Sequence, residues 1–424
     1  MRIQTLFIGI LCSFLLPLST FAQDYEIIEG PALEESVAVD STVVEETPID
    51  STLEVSLLTC SPGQATYELY GHTALRVRSE AQGYDVVFNY GVFDFYEPMF
   101  VWRFVLGECD YMVCPYSFDA FMYEYIQRGS SVTEQVLNLR PREAQEMATA
   151  LWTNCAKENR VYRYNIFRSN CTTKSRDMIE AHVYGHVIYP VRPRRNTFRT
   201  ILHQFTRGHV WDEEGNDLLL GASVDTLITE RDEMFSPIYL MWYMDSAFVD
   251  RGLHRFDPLV RERRMLLEEK PEKQRAALAA QPSFPITPGV LGWSLFVIGA
   301  LIAAWELRKQ RALWQVDAVL MTLQGIVGLL LTFMALFSQH PGVGSNWQIW
   351  VLNPLPLLFV VPVVRAAKRR EPFIYHTFAA GFILLFVVLY ALIPQDFSSL
   401  ILPLALLLLS RPIVHLILTK RKTK

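Results

Sequence analysis

The stretch Asn170-Cys171-Thr172-Thr173-Lys174-Ser175-Arg176-Asp177-Met178-Ile179-Glu180-Ala181-His182 decides how the first half of this 424-residue chain is read. Asn170 is a good helix N-cap, and residues 172–182 form a helix that starts at or just after the thiol. The positive end of a helix favours a thiolate, so Cys171 is a candidate nucleophile. A lone cysteine is more often a small core residue. Here the cap and the cysteine count argue against that reading. The cysteines are Cys12, Cys60, Cys109, Cys114, Cys155 and Cys171. Cys12 lies in an apolar leader, and five remain in a compartment that permits disulfides, so four can pair and one is left over. Asn170-Cys171-Thr172 also matches a glycosylation sequon, which is read as coincidence.

A thiol nucleophile needs a base or an ion-pairing histidine. Gly71-His72-Thr73-Ala74-Leu75-Arg76-Val77 supplies one at the start of a strand over residues 73–78. Gln82-Gly83 turns that strand into a second over residues 85–90, giving a hairpin. Asn89, in Asn89-Tyr90-Gly91, can orient the ring from the second strand. Taken alone, His72 reads more readily as a satisfied structural histidine. A strand over 55–58 and a helix over 141–157, with Pro141 in its first turn, make the class α+β. Residues 84–125 hold 15 aromatics in 42 positions, against 12% for the chain; most belong in a core, and some can line an acyl-chain groove or rest on a membrane. His182 and His186, four apart, are expected on one helix but lack a third metal ligand. No GxSxG, GxGxxG or P-loop is present, so serine-hydrolase and nucleotide readings lack support.

The second half is written in another composition. Residues 281–424 carry 12 Lys+Arg and 4 Asp+Glu, whereas residues 1–280 sum to −13. Residues 1–22 read as a signal peptide and 23–54 as an acidic disordered linker with ten acids between residues 24 and 54. A thiol domain is expected over 55–250, then a connector over 251–288 whose charged part, 257–280, reads as mostly helical. Residues 289–417 read as five transmembrane helices, at 289–305, 316–337, 347–364, 373–393 and 400–417, followed by a basic tail over 418–424. Lys and Arg gather in alternate connections and the tail. The positive-inside rule then puts the C-terminus in the cytoplasm and the N-terminal domain in the periplasm, in a multi-pass inner-membrane protein. An acidic domain of this kind is a poor partner for nucleic acid.

Four ordered motifs carry a resemblance: Leu57-Leu58-Thr59-Cys60-Ser61-Pro62-Gly63, Gly71 to Val77 as quoted, Asn89-Tyr90-Gly91-Val92-Phe93-Asp94-Phe95, and Tyr164-Asn165 followed by Asn170-Cys171-Thr172-Thr173. Over residues 55–250 they resemble the Bacteroides-type lipoprotein N-acyltransferases, the Lnb family. The His-before-Cys order also resembles the permuted papain-like thiol enzymes, which include lecithin:retinol acyltransferase and relatives of the NlpC/P60 peptidases. The resemblance implies an α+β, permuted papain-like periplasmic domain ahead of the five helices. It implies Cys171 as nucleophile, His72 as its partner, a phospholipid acyl donor, a diacylated lipoprotein acceptor, and no cofactor or metal. Asn89 as third residue rests on its position, because that residue varies among these relatives. In the connection 338–346 and the span that follows, His340, Asn346 and Asn353 are candidates for holding a lipid headgroup or lipoprotein; a turn with a capping Asn is the alternative. Gln324, Arg411 and His415 are weaker intramembrane candidates. A periplasmic cysteine peptidase or amidase acting on peptidoglycan stems, and a membrane-anchored binding module, remain as alternatives.

Overall fold

The computed structural model describes residues 49–93, 98–281 and 284–422. The expected signal peptide and nearly all of the acidic linker lie outside the described residues. In chain order the strands are β1 (Glu54–Cys60), β2 (His72–Ser79), β3 (Tyr84–Val92), β4 (Asp110–Ser117), β5 (Val132–Leu137), β6 (Val161–Arg163), β7 (His186–Ile188), β8 (Phe248–Asp250), β9 (Phe256–Pro258) and β10 (Val260–Leu267). The helices are α1 (Phe100–Leu106), α2 (Phe118–Arg128), α3 (Pro141–Cys155), α4 (Cys171–His182), α5 (Phe198–Thr206), α6 (Val210–Leu219), α7 (Glu230–Glu233), α8 (Pro237–Asp245), α9 (Pro271–Ala280), α10 (Pro288–Lys309), α11 (Trp314–Phe337), α12 (Leu355–Arg369), α13 (Ile374–Leu389) and α14 (Ile401–Lys422).

Two compact units form. The sheet unit comprises residues up to Phe104, Glu108–Asn196 and Ile228–Pro282. Its seven-stranded sheet runs β10-β5-β1-β2-β3-β4-β6 with every neighbouring pair antiparallel. The expected hairpin is present as β2–β3, with Leu75 opposite Phe88. Strand β2 is buried on both faces rather than one, because the sheet is covered on both. Leu58, Ala74, Val87 and Val132 pack against Phe121, Met122 and Tyr125 of α2. On the other face Phe88 meets Trp152 of α3 edge-on, and α4 packs across β2. Helix α2 is bounded by local chemistry, with the Ser117 hydroxyl accepting from the Ala120 N–H and Gly129 closing it at φ 73°.

Three expectations are corrected here. Residues 257–280 are not mostly helical: Val260–Leu267 is the edge strand of the sheet, and only Pro271–Ala280 is a helix. The alternating Arg261, Arg263 and Arg264 pair with Glu54, Asp245 and Glu134, which suits a charged sheet edge. His182 and His186 do not share a helix. Helix α4 ends at His182, Gly185 turns the chain at φ 130°, and His186 opens β7. The five described cysteines are thiols rather than two disulfides and one thiol.

The helical unit comprises Val105–Gly107, Thr197–Leu227 and the chain from Ser283 onward. Thr197–Leu227 therefore departs from a continuous thiol domain over 55–250. The reason is polar: the Gly221 N–H donates to the Gly342 carbonyl at 2.7 Å and the Ala222 N–H to the Ser345 carbonyl at 2.9 Å. Fully buried Arg199 holds the segment's own turn through Asp217 and Asp225. Four helical stretches are long and apolar enough to cross a membrane: Pro288–Lys309, Trp314–Phe337, Trp347–Arg369 and Ile401–Arg421. The segment expected over 373–393 forms the shorter helix Ile374–Leu389, of 16 residues or about 24 Å. The third stretch is broken between Trp350 and Leu355, where Gln324 of α11 donates to the buried Val351 carbonyl at 2.7 Å. Gly328 lets this break approach, since a Cβ there would lie 2.3 Å from the Asn353 backbone. Leu331, Val351, Ile383, Phe386, Ile401 and Ala405 form the unit's core.

Candidate active site

Residues 99 positions apart in sequence are joined where β2 meets the start of α4. The Thr73 and Thr172 hydroxyls, both buried, lie 3.2 Å apart and fasten the strand to the helix. Asn170 caps α4 as its sequence suggests, its side chain accepting from the Thr173 N–H at 2.9 Å. Its own amide nitrogen donates to the Ile166 and Phe235 carbonyls. A buried amide held by two carbonyls is no glycan acceptor, in keeping with the sequon being coincidence.

This framing puts Cys171 at the first position of α4 and His72 at the first position of β2. The two come close enough for the charge of each to act on the other. His72 Nε2 lies 2.6 Å from Asn89 Oδ1. An amide oxygen only accepts, so Nε2 carries the proton and Nδ1 is the ring nitrogen left for the thiol. Burial pushes the Cys171 thiol up, but the His72 charge, the His72 hydrogen bond, the Thr73 N–H and the Thr172 hydroxyl outweigh it and bring the pKa down to about 7. Burial lowers the His72 pKa, while Cys171 and Asn89 raise it further, for a net upward shift. Each group thus favours the charged form of the other, so a thiolate–imidazolium pair is populated near neutrality.

Gly91 borders the same space. It stands at φ 105°, beside a bulge in the β3–β4 pairing, and a Cβ on it would lie 3.7 Å from His72 Cε1 and 3.8 Å from Cys171 Cβ. A larger residue would be strained there and would crowd the pair. The wall is aromatic: Phe93 stacks on Tyr111 at 4.7 Å and Tyr111 on Tyr164 at 4.1 Å, with Tyr162 edge-on to Tyr90. Burial holds Tyr111, Tyr162 and Tyr164 above the ordinary phenol range, helped at Tyr111 by Cys109 and then Cys171, and at Tyr162 and Tyr164 by Cys171 and neighbouring phenols. They remain neutral, amphipathic walls. Sequence reasoning noted the aromatic density over 84–125 but missed Tyr162 and assigned Tyr164 no role. Both lie outside that stretch and arrive through β6 and the loop leading to Asn170.

The other residues singled out fall in the helical unit. Asn346 is buried and donates to the Leu218 and Leu219 carbonyls while capping the 3-10 turn at Trp347–Trp350. Asn353 bridges the Trp350 carbonyl and the Leu355 N–H. Through these hydrogen bonds both side chains hold the turn between α11 and α12. His340 lies partly exposed in the 338–346 connection. His203, Glu213 and Asp217 bring one nitrogen and two carboxylates within 4.8 Å of one another, a set with metal-ligand chemistry. However, Asp217 Oδ1 already accepts from Arg199 at 2.7 Å and lies 2.8 Å from His203 Nε2, so the set works as an ion-pair knot. Arg411 donates both terminal nitrogens to Glu306 and its Nε to Asp317, and His415 Nε2 meets the Glu371 carbonyl.

Two family models match the chain: the Lnb N-terminal periplasmic domain over residues 45–204 and the Lnb transmembrane domain over 279–423. The chain belongs to the Lnb family. The order of the two matches is the order of the two units, and the Lnb assignment with four long apolar helices makes this a multi-pass membrane protein. The Cys171–His72–Asn89 cluster falls wholly within the Lnb periplasmic-domain match. No curated protein and no solved structure matches the chain.

Proposed function

We propose that this Lnb-family protein is a lipoprotein N-acyltransferase working through a Cys171 thioester. The observation that carries the reading is the capped helix start that pairs Cys171 with His72, itself held by Asn89, in a chain whose remainder is built for a bilayer. Histidine on a strand ahead of a cysteine at a helix start fits a permuted papain-like arrangement. Counting the shorter Ile374–Leu389 with the four long apolar stretches gives five segments, an odd number that supports a periplasmic N-terminal domain and a cytoplasmic basic tail in an inner-membrane protein.

In the first half-reaction the Cys171 thiolate attacks an ester carbonyl of a phospholipid, forming a C–S bond. The ester C–O bond breaks, and the His72 imidazolium gives its proton to the departing lysophospholipid alkoxide. Backbone N–H groups at the start of α4 have no partner within the helix and suit the developing oxyanion. In the second half-reaction the α-amine of a diacylglyceryl-cysteine attacks the thioester. Neutral His72 takes the amine proton, the C–S bond breaks, and the thiolate–imidazolium pair is restored with an amide as product. Phe93, Tyr111 and Tyr164 offer the acyl chain an apolar wall. Any headgroup contact from the 338–346 connection falls to His340.

The test is direct. Full-length protein in phospholipid vesicles is digested and examined by mass spectrometry for an acyl group on Cys171, which a synthetic diacylated lipopeptide then discharges as an N-acyl product. Absence of both from a folded protein, together with cleavage of peptidoglycan stem peptides, would replace this reading with a cysteine amidase. Absence of every activity, with vesicles or lipopeptide still bound, would leave a binding module.

A further inference from the structure

The first two turns of α4 carry two cations beside the thiol, and the fold neutralises one of them. Arg176 is buried and fully engaged: its Nε and Nη2 donate to Asp177 at 2.9 and 2.7 Å, and its Nη1 donates to the Arg231 carbonyl at 3.1 Å. Lys174 is half-buried, and among the described residues no carboxylate or carbonyl accepts from its ammonium. Its Nζ stands over Tyr162, 4.9 Å from the ring centroid. An aromatic face attracts a cation without cancelling its charge. An ammonium drawn partly out of water with no counter-charge is a standing attraction for an anion.

The place of Lys174 identifies the anion. It follows Cys171 by three positions, so the two side chains leave α4 on one face, a turn apart. Tyr162 connects the same two residues: its ring lies against Lys174, and after burial the charge of Cys171 is the largest influence raising its phenol. Because Tyr162 pairs with Tyr111 in the β4–β6 ladder, that ring also adjoins the stack of Phe93, Tyr111 and Tyr164. A nucleophilic sulfur, an aromatic wall and an unneutralised cation thus meet around one helical turn. A glycerophospholipid carries the matching set on one glycerol: an ester carbonyl, an acyl chain and a phosphodiester anion. A neutral glyceride carries the first two and leaves the ammonium unmatched.

We propose that Lys174 selects a phosphate-bearing acyl donor, its ammonium binding the phosphodiester while Cys171 faces the neighbouring ester. The assignment rests on the acyl-transfer reading and deepens it, since it makes the phosphate, and not the acyl chain alone, the mark of the donor. Lysine is a point charge on a flexible stem, so it reads the phosphodiester rather than the headgroup beyond it. Phosphatidylethanolamine and phosphatidylglycerol should therefore serve alike.

Full-length protein in detergent is alkylated at Cys171 with iodoacetamide while dihexanoylphosphatidylglycerol, dihexanoylphosphatidylethanolamine, dihexanoylglycerol or inorganic phosphate is titrated in. Both phosphatidyl esters should protect the thiol at about tenfold lower concentration than the neutral glyceride, and raising salt to about 1 M should shrink that preference. Lys174→Ala should erase the preference and Lys174→Arg should keep most of it, each variant being taken as folded when its thermal midpoint matches the parent. Equal protection by phosphatidyl esters and glyceride in the parent protein would overturn the inference without any variant. A preference that survives Lys174→Ala would overturn it too, as would protection by inorganic phosphate as strong as that by the esters, which would make this a free-anion site. Protection by neither kind of lipid, with no acyl group appearing on Cys171, would instead bring down the acyl-transfer reading and this inference with it.

Discussion

Two regions draw polar groups out of water, the first partly and the second almost fully, and treat them in opposite ways. At Cys171 the thiol, His72 and Asn89 form a chain that ends on a half-buried sulfur. In the helical unit Arg411, with Glu306 and Asp317 buried around it, satisfies both acids at 2.6–2.9 Å. A chain with an open end can exchange a proton and form a bond with a substrate. A closed cluster can only hold helices together, and it is costly to open because each survivor is left charged and unpaired.

The sharpest test of this contrast is Cys171→Ala. Acyl-enzyme formation should fall by roughly 10³-fold or more, with little change in thermal midpoint, because only the open-ended sulfur is lost. A large fall in midpoint would show that Cys171 is structural. Arg411→Met should do the reverse, costing about 3–5 kcal/mol in thermal unfolding in detergent by stranding Glu306 and Asp317. A triple change, Arg411→Met with Glu306→Gln and Asp317→Asn, should recover much of that loss; an unrecovered triple would break the closed-cluster interpretation.

A smaller effect is expected at the middle of the open chain. Asn89→Ala frees the His72 ring and should slow acylation about 10- to 100-fold, with Asn89→Asp recovering part of the rate as an alternative acceptor. The subtlest prediction concerns pH. With the Cys171 pKa near 7, iodoacetamide reactivity should rise as pH passes up through about 7 and level off above it. In His72→Ala the largest downward influence is gone while burial still raises the thiol, so the midpoint should move up toward or past the ordinary thiol value of 9.0. An unmoved midpoint would remove His72 from the pair.

The site was legible wherever local chemistry fixes geometry. An Asn before a cysteine before a helical stretch reads as a cap, and a Gln-Gly turn between two apolar stretches reads as a hairpin, so Cys171, His72 and Asn89 could each be singled out from their own surroundings. Tyr162 could not, because its role comes from β6 pairing with β4 across some fifty residues, with Tyr111 opposite it. The edge strand Val260–Leu267 was misread for a related reason. Its Arg and Glu residues suit a solvated helix or a charged sheet edge equally well, and only the exposed flank of β5 decides between them.

The sequence by itself determined the two compositions, the capped thiol, the hairpin and the apolar segments, since these follow from short-range propensity and hydropathy over a few residues. Tertiary structure alone decided that Thr197–Leu227 joins the helical unit, that Asn346 serves as a brace, and that His72 turns Nε2 to Asn89. Each of those outcomes depends on which distant carbonyl or carboxamide a polar group meets once the chain has folded, and sequence spacing carries no record of that meeting.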